Sequence, residues 1–310
     1  MDILWALLST TRPRQWLKNS ALAASLVFSG LLYAPGAFLT VVWAMFIFTL
    51  LSSSIYVFND LLDIDADKKH PFKKKRPLPS GRLPIPVAVL YVIFGVITGL
   101  TLAYELNFFF FAVCFSYLML SGVLYTFWFK RITIVDVLTI ASGYILRVYA
   151  GAVAIDAHMN VWFLITVISL SLFLAVGKRR SEMTLLAGVG NKGEVRKTLK
   201  HYTESLLDIY TAMFANLTWF GYALFAFNHP KIVPEGRWLS LLSVLPRTFV
   251  SEKWMMATIP FVVYGVMRYL QLVYEKNEGE SPERVILSDK PLITTVLVWG
   301  LAVTVLLYGF

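Results

Sequence analysis

The chain has 310 residues, 57% hydrophobic and only 15% charged, with a mean hydropathy of +0.66. That balance excludes an ordinary soluble globular protein, which carries more charge and shorter apolar runs. The formal net charge of +9 is not a nucleic-acid signature, because the bases gather in alternate polar segments, as a topology signal does, and the lone Cys114 excludes an intrachain disulfide framework.

In chain order, residues 1–10 read as a short interfacial helix carrying Trp5. Ile3 to Leu8 is too short for a signal core and no A-x-A-like site follows, so no cleavable signal peptide is expected. Nine apolar spans follow, each near the roughly 20 residues that cross a bilayer. They cover about 15–33, 37–58, 84–104, 107–127, 134–154, 160–177, 205–227, 255–274 and 291–309. Pro35 and Gly36 mark a tight first turn, Pro84 and Pro86 open the third span, and Asn107 interrupts the third and fourth. The expectation is an all-α polytopic membrane protein, one integral membrane domain over residues 1–310, with nine transmembrane helices around a central cavity.

Lysine and arginine set the orientation. With the N-terminus inside, the inner segments hold 22 bases and the outer segments only four: Lys231, Arg237, Arg247 and Lys253. This places the N-terminus and the charged loops on the cytoplasmic side of the plasma membrane and the C-terminus outside. The longest outer segment, roughly 228–254, contains Trp238, Leu239, Leu241, Leu242 and Leu245 and reads as a piece lying along the interface.

Four constellations carry chemistry. The first precedes the first span and runs from Arg12 to Asn19, with Arg14, Gln15, Lys18 and Asn19 as its dense donors. Two readings stand, a positive-inside anchor with a snorkelling lysine and a donor cluster for an anion. The second runs from residue 59 to 82. Asn59, Asp60, Asp63 and Asp67 follow an apolar helix, and steps of three and four place the aspartates on one helical face. Carboxylates so gathered repel unless a cation sits between them, and hard oxygen ligands suit Mg²⁺. Lys68, Lys69, Lys73, Lys74, Lys75, Arg76 and Arg82 follow at once, so an anion site adjoins the metal site.

The third runs from Tyr125 past Lys130 and Arg131 to Asp136, with Arg147 about three turns further along the same helix face. An arginine that deep is costly unless paired or facing a watery cavity. It reads either as a buried structural pair or as a cavity wall for phosphate or ribose hydroxyls, and intramembrane charge favours the second. The fourth is Lys178, Arg179 and Arg180, a topology stop or a basic cluster converging with the acids of 60–67; Glu204 and Asp208 are candidate partners for Arg180. No G-x-x-x-x-G-K-[ST] loop is present, and the four histidines are scattered.

Asn59-Asp60-x-x-Asp63-x-x-x-Asp67, followed by Arg76-Pro77-Leu78-Pro79-Ser80-Gly81, resembles the paired signature of the UbiA superfamily of intramembrane prenyltransferases. The resemblance covers nearly the whole chain and implies nine transmembrane helices with Mg²⁺ and a diphosphate at the first aspartate motif. A narrower likeness lies in RPRQWLKN, HPFKKKRP, the stretch from Tyr125 to Ala152 and LAVGKRRSEM, which are similar to the decaprenyl-phosphate phosphoribosyltransferase branch. That branch transfers 5-phosphoribose from phosphoribosyl pyrophosphate to a polyprenyl phosphate and releases pyrophosphate.

The resemblance implies roles as follows. Asp60, Asp63 and Asp67, helped by Asn59, hold Mg²⁺ against the pyrophosphate, and Lys18 and Asp136 join them as catalytic residues. Arg14, Gln15, Lys18, Asn19, Lys73 and Arg76 bind phosphate oxygens. Tyr125, Lys130, Arg147, Lys178, Arg179 and Arg180 complete the substrate site, with Lys130, Arg179 and Arg180 toward the lipid phosphate. The chain departs from the superfamily in its second acidic motif: the connection of the fourth and fifth spans offers Asp136 alone, with Tyr125 and Lys130 in a Y-x-x-x-K pattern. A single acid argues against the usual handling of a prenyl diphosphate, the alternative substrate, whose acceptor would be aromatic or of another kind. The expected partners are the two phosphorylated substrates and membrane lipids, with no nucleic acid; a homo-oligomer is left open. A transporter is the third reading, disfavoured because the charges crowd the inner mouth and not the midplane.

Overall fold

Every element in the computed structural model is helical among the described residues, which are 2–69, 73–187, 201–230, 253–275 and 282–309. The chain divides into two units, Met1–His158 and Met159–Phe310. The first is organised on α3 (Ala37–Leu62), after α1 (Asp2–Thr10) and α2 (Leu22–Phe28), and before α4 (Ile64–Lys69). At 1.5 Å per residue, the 26 residues of α3 reach about 39 Å, beyond the roughly 30 Å hydrocarbon core. Its last turn, with Asn59 and Asp60, therefore emerges at the polar end.

Next come α5 (Ile85–Leu106), α6 (Phe108–Phe127) and α7 (Val135–Ala154). The start of α6 is set by Asn107, whose side chain accepts the Phe109 N–H at 2.7 Å. Its stretch Leu118–Leu124 is π-helical, a local widening that recurs near functional sites. Small residues bring the helices close. A methyl group at Gly99 would stand 2.6 Å from Leu51 Cδ2, and one at Gly151 would strike the Leu22 carbonyl oxygen. Close backbone approach of this kind replaces the hydrophobic driving force that lipid cannot supply. Around these contacts Leu22, Ile47, Phe48, Leu51, Phe110 and Tyr117 form one buried cluster.

The second unit holds α8 (Val161–Ala187), α9 (Glu204–Asn228), α10 (Ile259–Glu275), α11 (Pro282–Ser288) and α12 (Lys290–Tyr308). Phe173, Leu272 and Tyr269 form its core, and α9 packs along α8. Asp289 caps α12 by accepting the Leu292 N–H at 3.0 Å, while both its oxygens accept from Arg268.

Among the described residues, seven helices have the length and hydropathy to cross a membrane: α3, α5, α6, α7, α8, the 254–275 segment ending in α10, and α12. The expected count of nine is not reproduced among the described residues, for two reasons. The span expected at 15–33 is a 3₁₀ segment, Pro13–Ala21, followed by the short α2, and the chain turns at Gly30 with φ +78°. The span expected at 205–227 coincides with α9, 25 residues long, which is not among those seven. The interfacial piece expected at 228–254 falls largely on 231–252, outside the described residues.

Candidate active site

The polar end of α3 delivers the motif. Helical bonding continues across the bend at Asp63: its N–H donates to Asn59 O at 3.0 Å, and the Asp67 N–H donates to Asp63 O at 2.8 Å. Asp60 and Asp67, seven positions apart, therefore stay on one side, as their spacing predicts. Both are buried, at 4% and 3% exposure. Buried carboxylates need partners, because an unpaired ion in a low dielectric costs several kcal/mol.

Those partners are arginines. Arg76 donates through one nitrogen, Nη1, to Asp60 Oδ1 at 3.1 Å and to Asp67 Oδ2 at 2.9 Å. Arg12 Nη2 donates to Asp60 Oδ1 at 2.5 Å, and its guanidinium stacks over the Tyr56 ring at 5.3 Å. Lys73 stands 3.8 Å from Asp67. The third aspartate, Asp63, is half-exposed and stands 3.7 Å from Lys130. The Thr126 hydroxyl donates to Asn59 Oδ1 at 2.7 Å, tying the end of α6 to the same centre.

Of the three expected aspartates, Asp60 and Asp67 share Arg76, and Asp63 pairs with Lys130 from the connection of α6 and α7. Among the described residues no three His, Cys, Asp or Glu side chains gather to hold a metal ion. The donor chemistry still fits Mg²⁺. Asp60 and Asp67 are hard oxygen ligands that already converge on one cationic nitrogen, and Mg²⁺ characteristically takes one or two carboxylates plus substrate phosphates.

Around Asp60 lies a cavity of about 310 Å³, lined by Ser9, Thr10 and Arg12 and by Lys75, Arg76 and Arg82 among others. Ala6 of α1 is buried in a cluster with Val57 and Leu78, which sets the end of α1 against α3. Arg12 then adopts φ +56°, ψ +66°, a left-handed backbone unusual for arginine.

The remaining expected residues of the first unit form a second, buried group. Arg147 is 4% exposed. It donates from Nε to Asn19 Oδ1 at 2.9 Å, from Nη1 to Gly143 O at 2.5 Å and from Nη2 to the Tyr117 hydroxyl at 2.7 Å. The Asn19 amide donates in turn to Thr49 Oγ1 at 2.8 Å and Ser52 Oγ at 3.3 Å. The Tyr144 ring carries both Lys18 and Arg147 at 5.9 Å. Lys18, Asn19 and Arg147 thus come together on neutral and aromatic partners, and Asn19 is a structural link as well as a donor. Asp136 is fully buried in the first turn of α7, after Ile134 with φ +71°. Tyr125 is half-buried beside Thr126, whereas Arg14 is exposed and Gln15 half-buried on the 3₁₀ segment.

Within the second unit, Lys178, Arg179 and Arg180 lie on α8. Arg179, with a side chain 1% exposed, pairs with Glu182 at 2.5 Å. Arg180 Nε donates to Asp208 at 2.6 Å, with Glu204 further off at 3.7 Å, so Asp208 is its principal partner. The Tyr274 hydroxyl donates to the same Asp208 oxygen at 2.8 Å.

Thr126 and Tyr117 are the residues that sequence reasoning missed; Arg12 stands in the first constellation without a binding role of its own. Nothing in an apolar helix distinguishes Thr126 or Tyr117 from packing residues. The only available signal was position: Thr126 follows Tyr125 of the Y-x-x-x-K pattern.

The profile of the UbiA prenyltransferase family matches residues 21–288. The chain is 29% identical over 306 residues to the "Decaprenyl-phosphate phosphoribosyltransferase" of Corynebacterium glutamicum, covering 97% of this chain and 86% of that one. It is 32% identical over 303 residues to the protein of the same name from Mycolicibacterium smegmatis, covering 96% and 91%. Among solved structures, a UbiA homolog from Archaeoglobus fulgidus bound to GPP and Mg²⁺ superposes with a TM-score of 0.67 at 18% identity, covering 97% and 99%. A digeranylgeranylglyceryl phosphate synthase superposes with a TM-score of 0.64 at 19% identity over the whole of both chains. At those identities the two structures speak to the fold.

Proposed function

This chain belongs to the UbiA prenyltransferase family, and from that premise we propose that it is a phosphoribosyltransferase acting on a polyprenyl phosphate. The donor is phosphoribosyl pyrophosphate and the acceptor is a decaprenyl-like lipid phosphate. A lipid phosphate oxygen bonds to C1 of the ribose. The C1–O bond to pyrophosphate breaks, and its electron pair leaves with the pyrophosphate. The observation that supports this most directly is the base-rich centre at the end of α3, where Arg12, Arg76 and Lys73 surround Asp60 and Asp67.

Asp60 and Asp67, with Asn59 and Asp63 beside them, are the residues that would hold Mg²⁺. When bound, the ion neutralises negative charge that grows on the departing pyrophosphate. The chain's own residues do the rest. Arg76 and Lys73 give the phosphate oxygens a forked and a point cation. Thr126 orients Asn59, because its hydroxyl occupies the amide oxygen. The acceptor phosphate is already anionic and needs no strong base. It needs alignment with C1 and exclusion of water, to which Lys130, Tyr125, Asp136 and the buried Lys18–Asn19–Arg147 group contribute. Arg179 and Arg180 are proposed for the lipid phosphate. The excess of bases in the expected inner segments supports a plasma-membrane enzyme with this centre on the cytoplasmic side.

The likeness of fold to a protein bound to GPP and Mg²⁺ supports a second reading, transfer of a prenyl group from a prenyl diphosphate to an aromatic acceptor. A radiolabel assay on purified protein with Mg²⁺ separates them. Phosphoribosyl pyrophosphate with a polyprenyl phosphate should give a labelled lipid that EDTA abolishes. Product only from a prenyl diphosphate with an aromatic acceptor would replace the first reading with the second.

A further inference from the structure

Resting on the phosphoribosyl reading, we infer that the cavity beside Asp60 seats the 5-phosphate of the water-soluble donor, with Arg12, Lys75 and Arg82 as its ligands. Four bases (Arg12, Lys75, Arg76 and Arg82) and one carboxylate, Asp60, line this space of about 310 Å³. Asp60 and, through Arg76, Asp67 offset two of the four cations, and a phosphomonoester, close to dianionic at neutral pH, supplies the missing charge. The volume lies at the small end for ligand pockets, which suits a phosphate and part of a pentose.

The side chains are set for this. Arg82 is anchored by Nη2 to the Lys75 carbonyl at 2.5 Å and by Nε to Ser80 Oγ at 3.1 Å, which directs its remaining nitrogen and holds it beside Lys75. Arg12 gives Asp60 its Nη2 and rests on Tyr56, while its guanidinium has further N–H groups to offer. Its left-handed backbone is a conformation that surrounding structure must impose. Ser9, at the rim, adds a hydroxyl donor.

The position selects the soluble substrate over the lipid. Of the lining residues only Asp60 belongs to a membrane-crossing helix; the others lie before α2 or between α4 and α5. Asp60 is shared by the cavity and by the Asp60–Asp67 pair, so one donor molecule can place its 5-phosphate in the first and its pyrophosphate at the second.

The test is equilibrium binding of labelled ribose 5-phosphate to the full chain in lipid nanodiscs with EDTA present, followed by turnover kinetics. Lys75 and Arg82 are exposed, so K75Q/R82Q should fold, which gel filtration checks. Wild type should bind saturably, with ribose unable to compete. K75Q/R82Q should weaken binding by roughly tenfold or more, as expected for lost charge-assisted bonds, and should raise KM for phosphoribosyl pyrophosphate more than it lowers kcat. R12K should retain more affinity than R12Q. Equal affinity in wild type and K75Q/R82Q, or no binding to wild type, would overturn the inference. So would displacement of the label by a short polyprenyl phosphate but not by inorganic phosphate. Binding that K75Q/R82Q removes, in a protein that never transfers phosphoribose, would sustain the site and remove the proposed function instead.

Discussion

Replacing Arg76 with glutamine isolates the role of the cation between the two aspartates. Arg76 Nη1 lies 3.1 and 2.9 Å from carboxylates whose side chains are 5% and 4% exposed. Removing one partner of a fully buried ion pair costs about 3–5 kcal/mol. Arg76 is 33% exposed, and Arg12 and Lys73 remain beside Asp60 and Asp67, so solvent and neighbours reduce the loss to about 2 kcal/mol. For a chain of this size that is a fall of roughly 4 °C in Tm. The neutral substitution also unmasks the oxygens that would hold Mg²⁺. Ligand at about 100 times its Kd returns about 2.7 kcal/mol, so Mg²⁺ should raise the Tm of R76Q more than that of wild type. Differential scanning fluorimetry in nanodiscs, with EDTA and with a Mg²⁺ series, reads both effects. An R76Q protein with wild-type Tm in EDTA, or an equal Mg²⁺ response in both proteins, would refute the view that the guanidinium and the metal occupy one place. D67N in the R76Q background should recover part of the lost Tm, because it removes the repulsion between the two carboxylates.

Asp60→Asn and Asp67→Asn should each abolish formation of labelled lipid, whereas Asp65→Ala, with a side chain 97% exposed, should keep transfer within about twofold, as for a surface substitution; equal losses at all three positions would discard the proposed metal pair. Asp63→Ala releases Lys130 and should also abolish Mg²⁺-dependent transfer without reducing folded yield; substantial remaining activity would remove Asp63 from the metal set. Gly151→Ala drives a methyl group into the Leu22 carbonyl and should cost about 1–3 kcal/mol, seen as a lower Tm, while Gly265→Ala meets nothing within 4 Å and should be tolerated. Arg268→Met leaves Asp289, 6% exposed on its side chain, without its forked partner and should lower Tm by several degrees with no change in KM.

The membrane class, the approximate bounds of the helices and the face shared by Asp60 and Asp67 were legible in the amino-acid order, because each depends on groups within a few residues of one another. Hydropathy decides whether a segment of about 20 residues prefers lipid, and a helical period places positions 60 and 67 together. The same local reasoning put Asp63 with them. It could not see that Lys130, from a connection 67 positions away, pairs with Asp63. It also merged Pro13–Ala21 and Leu22–Phe28 into one span, since the sideways bonds of Asn19 to Thr49 and Ser52 arise only after packing.

What tertiary structure alone decided is the choice of partners. Arg12 meets Asp60 across 48 positions, and Arg147 meets Asn19 across 128. Lysines and arginines look alike as topology signals in the sequence, and only burial separates an anchor from a partner. A charge withdrawn from water must find an opposite charge or a set of dipoles at hydrogen-bonding distance. Which group supplies it depends on which helices the small residues allow to touch, and Gly99 and Gly151 set that choice through backbone approach rather than local periodicity.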